Sequence, residues 1–203
     1  MTTDSFSELL AMPGVTEVCE LRGPIGFMAY HGGSLEAQTD VIAALAAERS
    51  GASYYAVLQP DDVQWHIPSH KVSPTSSRLL QTFVDHVQIV ITIHGFGHRD
   101  HFTSLLLGGQ NRELAHHVAG HLRPLLPDYD VITELERIPK DLRGLHPDNP
   151  VNRVRGGGTQ LELTPRVRGI SPRSQLPGDD GLSPATSSLV QGLVATAHSW
   201  KLR

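Results

Sequence analysis

A single cysteine, Cys19, in 203 residues rules out an intrachain disulfide and argues against a thiolate metal centre. It lies in a strand-like run, Glu17-Val18-Cys19-Glu20-Leu21, where a free, buried thiol is expected. There is no basic excess. The formal net charge is −4, so composition offers no footprint for nucleic acid, although local arginines could still attract an acidic substrate. No apolar run approaches the roughly 20 residues that span a bilayer. The segment Met1 to Ser7 is polar and lacks the basic-then-apolar pattern of a secretory leader. A cytoplasmic protein is therefore expected, and release by lysis would look the same. Repeats and low-complexity tracts are absent too. With 39% hydrophobic and 19% charged residues, the chain suits one soluble globular domain over 1–203, expected as a monomer without a membrane partner.

The periodicity alternates between strands and helices. A short apolar pattern at 5–12 ends at the Pro13-Gly14 turn. Residues 15–22 and 25–31 read as strands joined in a hairpin at Gly23-Pro24. A helix is expected from Gln38 to Arg49, its start supported by Thr39 or Asp40, and a strand at 54–58. Val63 to Ile67 alternates like another short strand. Helix 75–86 leads into strand 87–93. Strand 102–107, helix 111–126 closed by Pro127, strand 129–135 and strand 159–164 follow. A helix from Ser183 to Trp200, with Pro184 in its first turn, closes the chain. Such alternation predicts an α/β three-layer sandwich with a mixed, largely parallel sheet. The stretches 138–158 and 165–182, rich in Pro and Gly, exceed ordinary connection length, as functional loops often do.

The strand 25–30 delivers His31-Gly32-Gly33-Ser34-Leu35-Glu36, and strand 87–93 ends in His94-Gly95. Open α/β sheets bind ligands beyond the carboxyl ends of their strands. Two histidines there, with one early carboxylate, fit a three-ligand Zn²⁺ site that keeps a position for water. With twelve histidines in the chain, the alternative is a pair of solvated or hydrogen-bonded loop residues. A second constellation runs from Asn152-Arg153 through Gly156-Gly157-Gly158 to Gln160-Leu161-Glu162-Leu163-Thr164 and then Arg166 and Arg168. Alternation sets Gln160, Glu162 and Thr164 on one face. Glu162 is then either functional or merely solvated on an edge strand. The glycine run precedes a strand and lacks the Lys-Ser/Thr ending of a phosphate loop.

The His-Gly-Gly with Glu five residues after the histidine, the later strand ending in His-Gly, and Gly-x-Gln-Leu-Glu-Leu-Thr with a trailing Arg are similar in order and spacing to one family. They resemble the zinc-dependent poly-γ-glutamate hydrolases of phage and bacteria, compact relatives of the zinc carboxypeptidases. The resemblance spans roughly 16–200. It implies a carboxypeptidase-like fold, His31, Glu36 and His94 as zinc ligands, and Glu162 as the catalytic carboxylate. Wider carboxypeptidases space the first His and Glu more closely. The segment Trp65-His66-Ile67-Pro68-Ser69-His70 departs from the family pattern through Pro68 and His70-Lys71.

The implied chemistry is hydrolysis of γ-glutamyl amide bonds within the polymer, by metal-activated water with Glu162 moving the proton. Arg153, Arg166 and Arg168 flank the Glu162 strand as candidate substrate-binding or oxyanion groups, each weighed against an ordinary surface role. His98 and His101 are candidates for a contact behind the metal or a mobile lip. His117 and His121 share helical i,i+4 spacing without the protease Glu, and read as a helix face. A zinc amidase or carboxypeptidase acting on small peptides or N-acyl amino acids is the first alternative. A non-catalytic binding protein on the same fold is the second.

Overall fold

The computed structural model describes residues 5–202; the first four residues of the polar Met1–Ser7 segment lie outside it. Strands β1 (Thr16–Glu20), β2 (Gly23–Gly33), β3 (Ala52–Gln59), β4 (Ile89–Gly95), β5 (Ser104–Leu107), β6 (Asp130–Ile132) and β7 (Gly158–Leu163) form one sheet in the order β1-β3-β2-β4-β7-β5-β6. Four of its six pairings are parallel; β1 with β3 and β5 with β7 are antiparallel. Helices α1 (Ser5–Leu10), α2 (Thr39–Ser50), α3 (Arg78–His86), α4 (Arg112–Leu125) and α5 (Pro184–Ser199) cover the faces. This is the expected mixed, largely parallel three-layer sandwich. No helix among the described residues is long and apolar enough to cross a membrane.

The two faces bury different sets. Odd positions of β4 and β7 (Ile89, Ile91, Ile93, Leu161 and Leu163) pack with Ala43 and Ala47 of α2, Val118 and Leu122 of α4, and Leu189 and Leu193 of α5. The other face packs Met28, Tyr55, Val57 and Val90 against Phe6 and Leu9 of α1 and Leu80 and Phe83 of α3. Those two helices cover only the early half of the central strands. Beyond it, the same face turns polar at Thr92 and His94 on β4 and at Gln160 and Glu162 on β7, all buried.

Several local expectations change. Residues 15–22 and 25–31 do not form a hairpin: β1 pairs antiparallel with β3, and β2 runs parallel between β3 and β4. The chain still reverses before Gly23-Pro24, but β3 lies between the two strands and they do not pair. Val63–Ile67 is not a strand. At its centre the Gln59 side chain donates to Trp65 O (3.1 Å) and accepts from Trp65 N (2.9 Å) in place of a neighbouring strand. The edge position weighed for Glu162 is excluded, because β7 lies between β4 and β5. Strands 102–107 and 129–135 shorten to Ser104–Leu107 and Asp130–Ile132. Neither Thr39 nor Asp40 caps α2: Thr39 Oγ1 donates back to Glu36 O (2.7 Å), and Asp40 Oδ1 accepts from Gly33 N (3.1 Å). Cys19 is free and half-buried rather than fully buried.

Candidate metal centre and its cavity

The site begins with a chain reversal that only glycine permits. After His31, Gly33 adopts φ 71°, and a Cβ there would lie 2.3 Å from Gln59 O; one at Gly32 would lie 2.7 Å from Asp40 Cβ. The turn brings Glu36 N within 3.0 Å of His31 O, and the Glu36 carboxylate back over the strand end. Gln38, at φ 73°, is the sole non-glycine residue with positive φ among the described residues, and it marks local strain beside that carboxylate.

Both early histidines meet Glu36. His31 Nδ1 is 3.0 Å from Oε1, and His94 Nδ1 is 3.2 Å from Oε2, which also accepts from Gly95 N (2.9 Å). The remaining ring nitrogens are held from behind. His31 Nε2 lies 2.9 Å from Ile67 O, an obligate acceptor, so that nitrogen carries the proton. His94 Nε2 lies 2.9 Å from Tyr30 Oη, whose hydrogen goes to Asn149 Oδ1 (3.2 Å), so this nitrogen is also the donor. In neutral rings both Nδ1 atoms then offer lone pairs toward a carboxylate. Acceptor faces acceptor unless a proton or a cation stands between them, and a carboxylate with two imidazole nitrogens is a donor set suited to zinc. His66 adds a fourth group. The ligand atoms of His31, Glu36 and His66 all lie within 4.8 Å of one another, and the His66 ring is 4.5 Å from that of His31. This cluster can hold a zinc ion.

The electrostatics agree with a cation site. Burial opposes ionisation of Glu36, but His94 and His31 outweigh it and hold the carboxyl far below its usual range. Burial makes His94 harder to protonate, partly offset by Glu36. Burial also lowers His66, and His31 adds to that. Glu162 goes the other way. Burial pushes its pKa well up, the charge of Glu36 adds to this, and a hydrogen bond from Gln160 opposes it.

Glu162 stands level with His94 in the β4–β7 ladder. It joins His94 through a directional chain. Gln160 Nε2 donates to Glu162 Oε1 (2.8 Å), Asn149 Nδ2 donates to Gln160 Oε1 (2.8 Å), and Asn149 Oδ1 receives Tyr30 Oη, which receives His94 Nε2. His31, Glu36, His66, His94, Gln160 and Glu162 all line one cavity of about 470 Å³. Its wall comes from 66–70 and 140–149, including His70, Lys140 and His146, with the His70 and His146 rings 4.8 Å apart.

The expected site residues thus divide. His31, Glu36, His94 and Glu162 converge. Arg168 lies behind them: it is buried, donates to Ala37 O (2.7 Å) and Leu163 O (3.2 Å), and lies so close to Gly95 that a Cβ there would meet its guanidinium carbon at 2.6 Å. Arg153 and Arg166 do not line this cavity. Arg153 pairs with Asp148 (3.0 Å) and Arg166 sits over the Tyr129 ring. His98 meets Asp100 and His101 meets Ser104, so neither touches the cluster. Tyr30, His66 and Asn149 were not singled out by sequence reasoning. The one signal for Asn149 and Tyr30 is their burial, visible only once the chain is folded.

The comparisons extend this picture. No curated protein matches the sequence. Among solved structures, a bacteriophage poly-gamma-glutamate hydrolase superposes with a TM-score of 0.75 at 18% identity, covering 93% of this chain and 91% of that one. A zinc-free apo form of YNDL gives 0.74 at 19%, with the same coverage. A metallo-carboxypeptidase from Burkholderia cenocepacia gives 0.51 at 10%, over 94% of this chain and 65% of that one. At such identities the likeness carries the fold. Residues 5–171 match the family described as poly-gamma-glutamate hydrolase. That span includes every side chain of the buried cluster and its cavity, and the chain belongs to this family of zinc-dependent amide hydrolases.

Proposed function

We propose that the chain cleaves the γ-linked amide bonds of poly-γ-glutamate, with His31, Glu36 and His94 holding the zinc and Glu162 handling the proton. The observation that carries this reading is the meeting of two Nδ1 atoms on the two oxygens of Glu36, with Glu162 level with His94 in the same cavity. Zinc at such a site supplies Lewis acidity, bringing a water toward neutral pKa and polarising a carbonyl.

The protein's own groups do the rest. Ile67 O and Tyr30 Oη fix the imidazole tautomers so that both Nδ1 lone pairs face inward. Glu162 keeps one oxygen on Gln160, which leaves the other to accept the proton of the attacking water and return it to the leaving amine. Its burial, together with the nearby Glu36 charge, is the kind of setting that tunes a carboxyl for both roles. Arg168 is a positioning residue. It ties Ala37, next to Glu36, to the end of β7, and its charge lies near both Glu36 and Glu162. Lys140 and the exposed imidazoles on the wall suit the pendant carboxylates of a γ-linked chain.

A second ligand set, His31, Glu36 and His66, is favoured by the clustering of their donor atoms. His94 is preferred because it is buried and locked from behind, whereas His66 is exposed to solvent. Metal analysis of His94→Ala and His66→Ala decides. Loss of stoichiometric zinc only in the His66 variant reverses the assignment. For the substrate, turnover is compared on γ-linked polyglutamate, α-linked polyglutamate and small N-acyl amino acids at two salt concentrations. The proposal expects cleavage of the γ-linked polymer, weakened by salt because exposed charges are screened over about 8–10 Å. Cleavage confined to small neutral amides, insensitive to salt, overturns it.

A further inference from the structure

A second cavity, of about 520 Å³, opens beside the first. The first is lined by Gly95 and Glu162; the second by Gly97 and Thr164. These lie two residues further along the same two chain segments, or about 7 Å of extended backbone. The second cavity has a different chemistry. Its floor is apolar, formed by Pro165, Ile170, Pro172 and the exposed Phe102. Among the described residues, Arg166 and Arg173 are the only Lys, Arg, Asp or Glu on its lining. They are local cations in a chain of net charge −4. Asp128 is near them on their other side, in a small recess that both arginines also line, and His98 at the rim faces Asp100 at 3.8 Å.

We infer that this second cavity is a subsite for the polymer segment flanking the bond being cut, so that the chain runs across the ends of β4 and β7. The inference rests on the reading of γ-linked polyglutamate as substrate. A γ-linked glutamyl chain carries two methylenes in each backbone repeat and one carboxylate on each side branch. It is apolar along its length and anionic at intervals. A floor of Phe, Ile and Pro with two guanidiniums matches that pattern: the floor takes the methylenes and the arginines take carboxylates in bidentate pairs. Arg166 thereby acquires a role that its distance from the metal cluster would not give it.

The test measures binding of fluorescent γ-linked glutamate oligomers of two, four and ten units to zinc-loaded Glu162→Gln protein, where turnover is suppressed. Affinity is expected to rise from four to ten units. Adding Arg166→Gln and Arg173→Gln should weaken the ten-unit ligand about tenfold, from up to roughly fivefold per exposed arginine pair, and should flatten its salt dependence. The two-unit ligand should change less than about twofold. Phe102→Ser, at an exposed position, should weaken only the long ligand. Thermal melting checks that each variant is folded. Affinity independent of length, including no binding at any length, overturns the inference. So does an equal loss for the two-unit and ten-unit ligands. Turnover of the polymer by the wild type is read separately, so failure of the substrate assignment is distinguished from failure of the subsite.

Discussion

Two histidine pairs in this molecule look alike by distance and differ in everything else. The rings of His31 and His94 are 5.0 Å apart; those of His117 and His121 are 4.9 Å apart. The first pair comes from two strands far apart in sequence and shares a carboxylate. The second lies on one helix, and both Nε2 atoms meet a single hydroxyl, Ser199 Oγ, at 2.9 and 2.8 Å. The strand pair is buried, while the helix pair is half-buried beside Ser199 and Trp200. Proximity of imidazoles is therefore not what makes a metal centre. A buried counter-charge and a fixed proton on the far nitrogen do so, and only the strand pair has both.

The largest expected effect breaks the strand pair. His31→Ala should lose stoichiometric zinc and with it essentially all amide hydrolysis, whereas His121→Ala should keep both. Metal analysis of the two purified variants checks this, and zinc loss in both would erase the distinction. Next in size is Glu162→Gln, which should retain zinc and lose about 10²–10⁴-fold in kcat. Single-turnover kinetics on a cleaved substrate reads it. Tyr30→Phe is smaller. It removes the acceptor behind His94 and should weaken zinc about 10–100-fold, measured by competition with a chelator.

A subtler effect concerns pH. In the folded, metal-free protein Glu162 holds its proton well above the pH of about 4.3 where an unfolded chain releases it. The folded state thus binds more protons from that pH up to the raised value, so stability falls as pH rises through this window. Gln cannot ionise. Metal-free Glu162→Gln should therefore melt higher than metal-free wild type at pH 7, by about 2–4 °C per kcal/mol recovered, and the gain should vanish near pH 4. A melting difference independent of pH would mean the carboxyl is not neutral there. The smallest effect is on the helix pair, where His117→Ala should change stability by about 1 kcal/mol, the usual net worth of one hydrogen bond, read by thermal melting.

The sequence made the architecture legible where periodicity was strong, as in strands β4 and β7 and helices α4 and α5. The Glu162 face was legible because alternation is a property of the strand itself. What alternation could not supply was the neighbour of each strand. The β1–β2 hairpin failed for that reason: the chain does reverse just before the Gly-Pro junction, but β3, distant in sequence, takes the place between the two strands. The arginines divided similarly. Their nearness to Glu162 in sequence said nothing of whether they faced the cavity, Tyr129 or Asp148. His66 and Asn149 come from irregular segments, where no period exists to read.

The pairing of β2 with β3 slips in register between Ala29 and Gly32. In a regular strand Tyr30 and His31 would point to opposite faces. Here both rings approach His94, each within about 5 Å. Consecutive residues thus supply an inner group and the group that supports another from behind. Such an arrangement should tolerate side-chain drift around it far better than changes in length. Loss or gain of one residue within β2 would remove or double the slip and turn His31 or Tyr30 away. In evolutionary terms, the residue count from β2 to Glu36 should stay fixed among relatives of this chain.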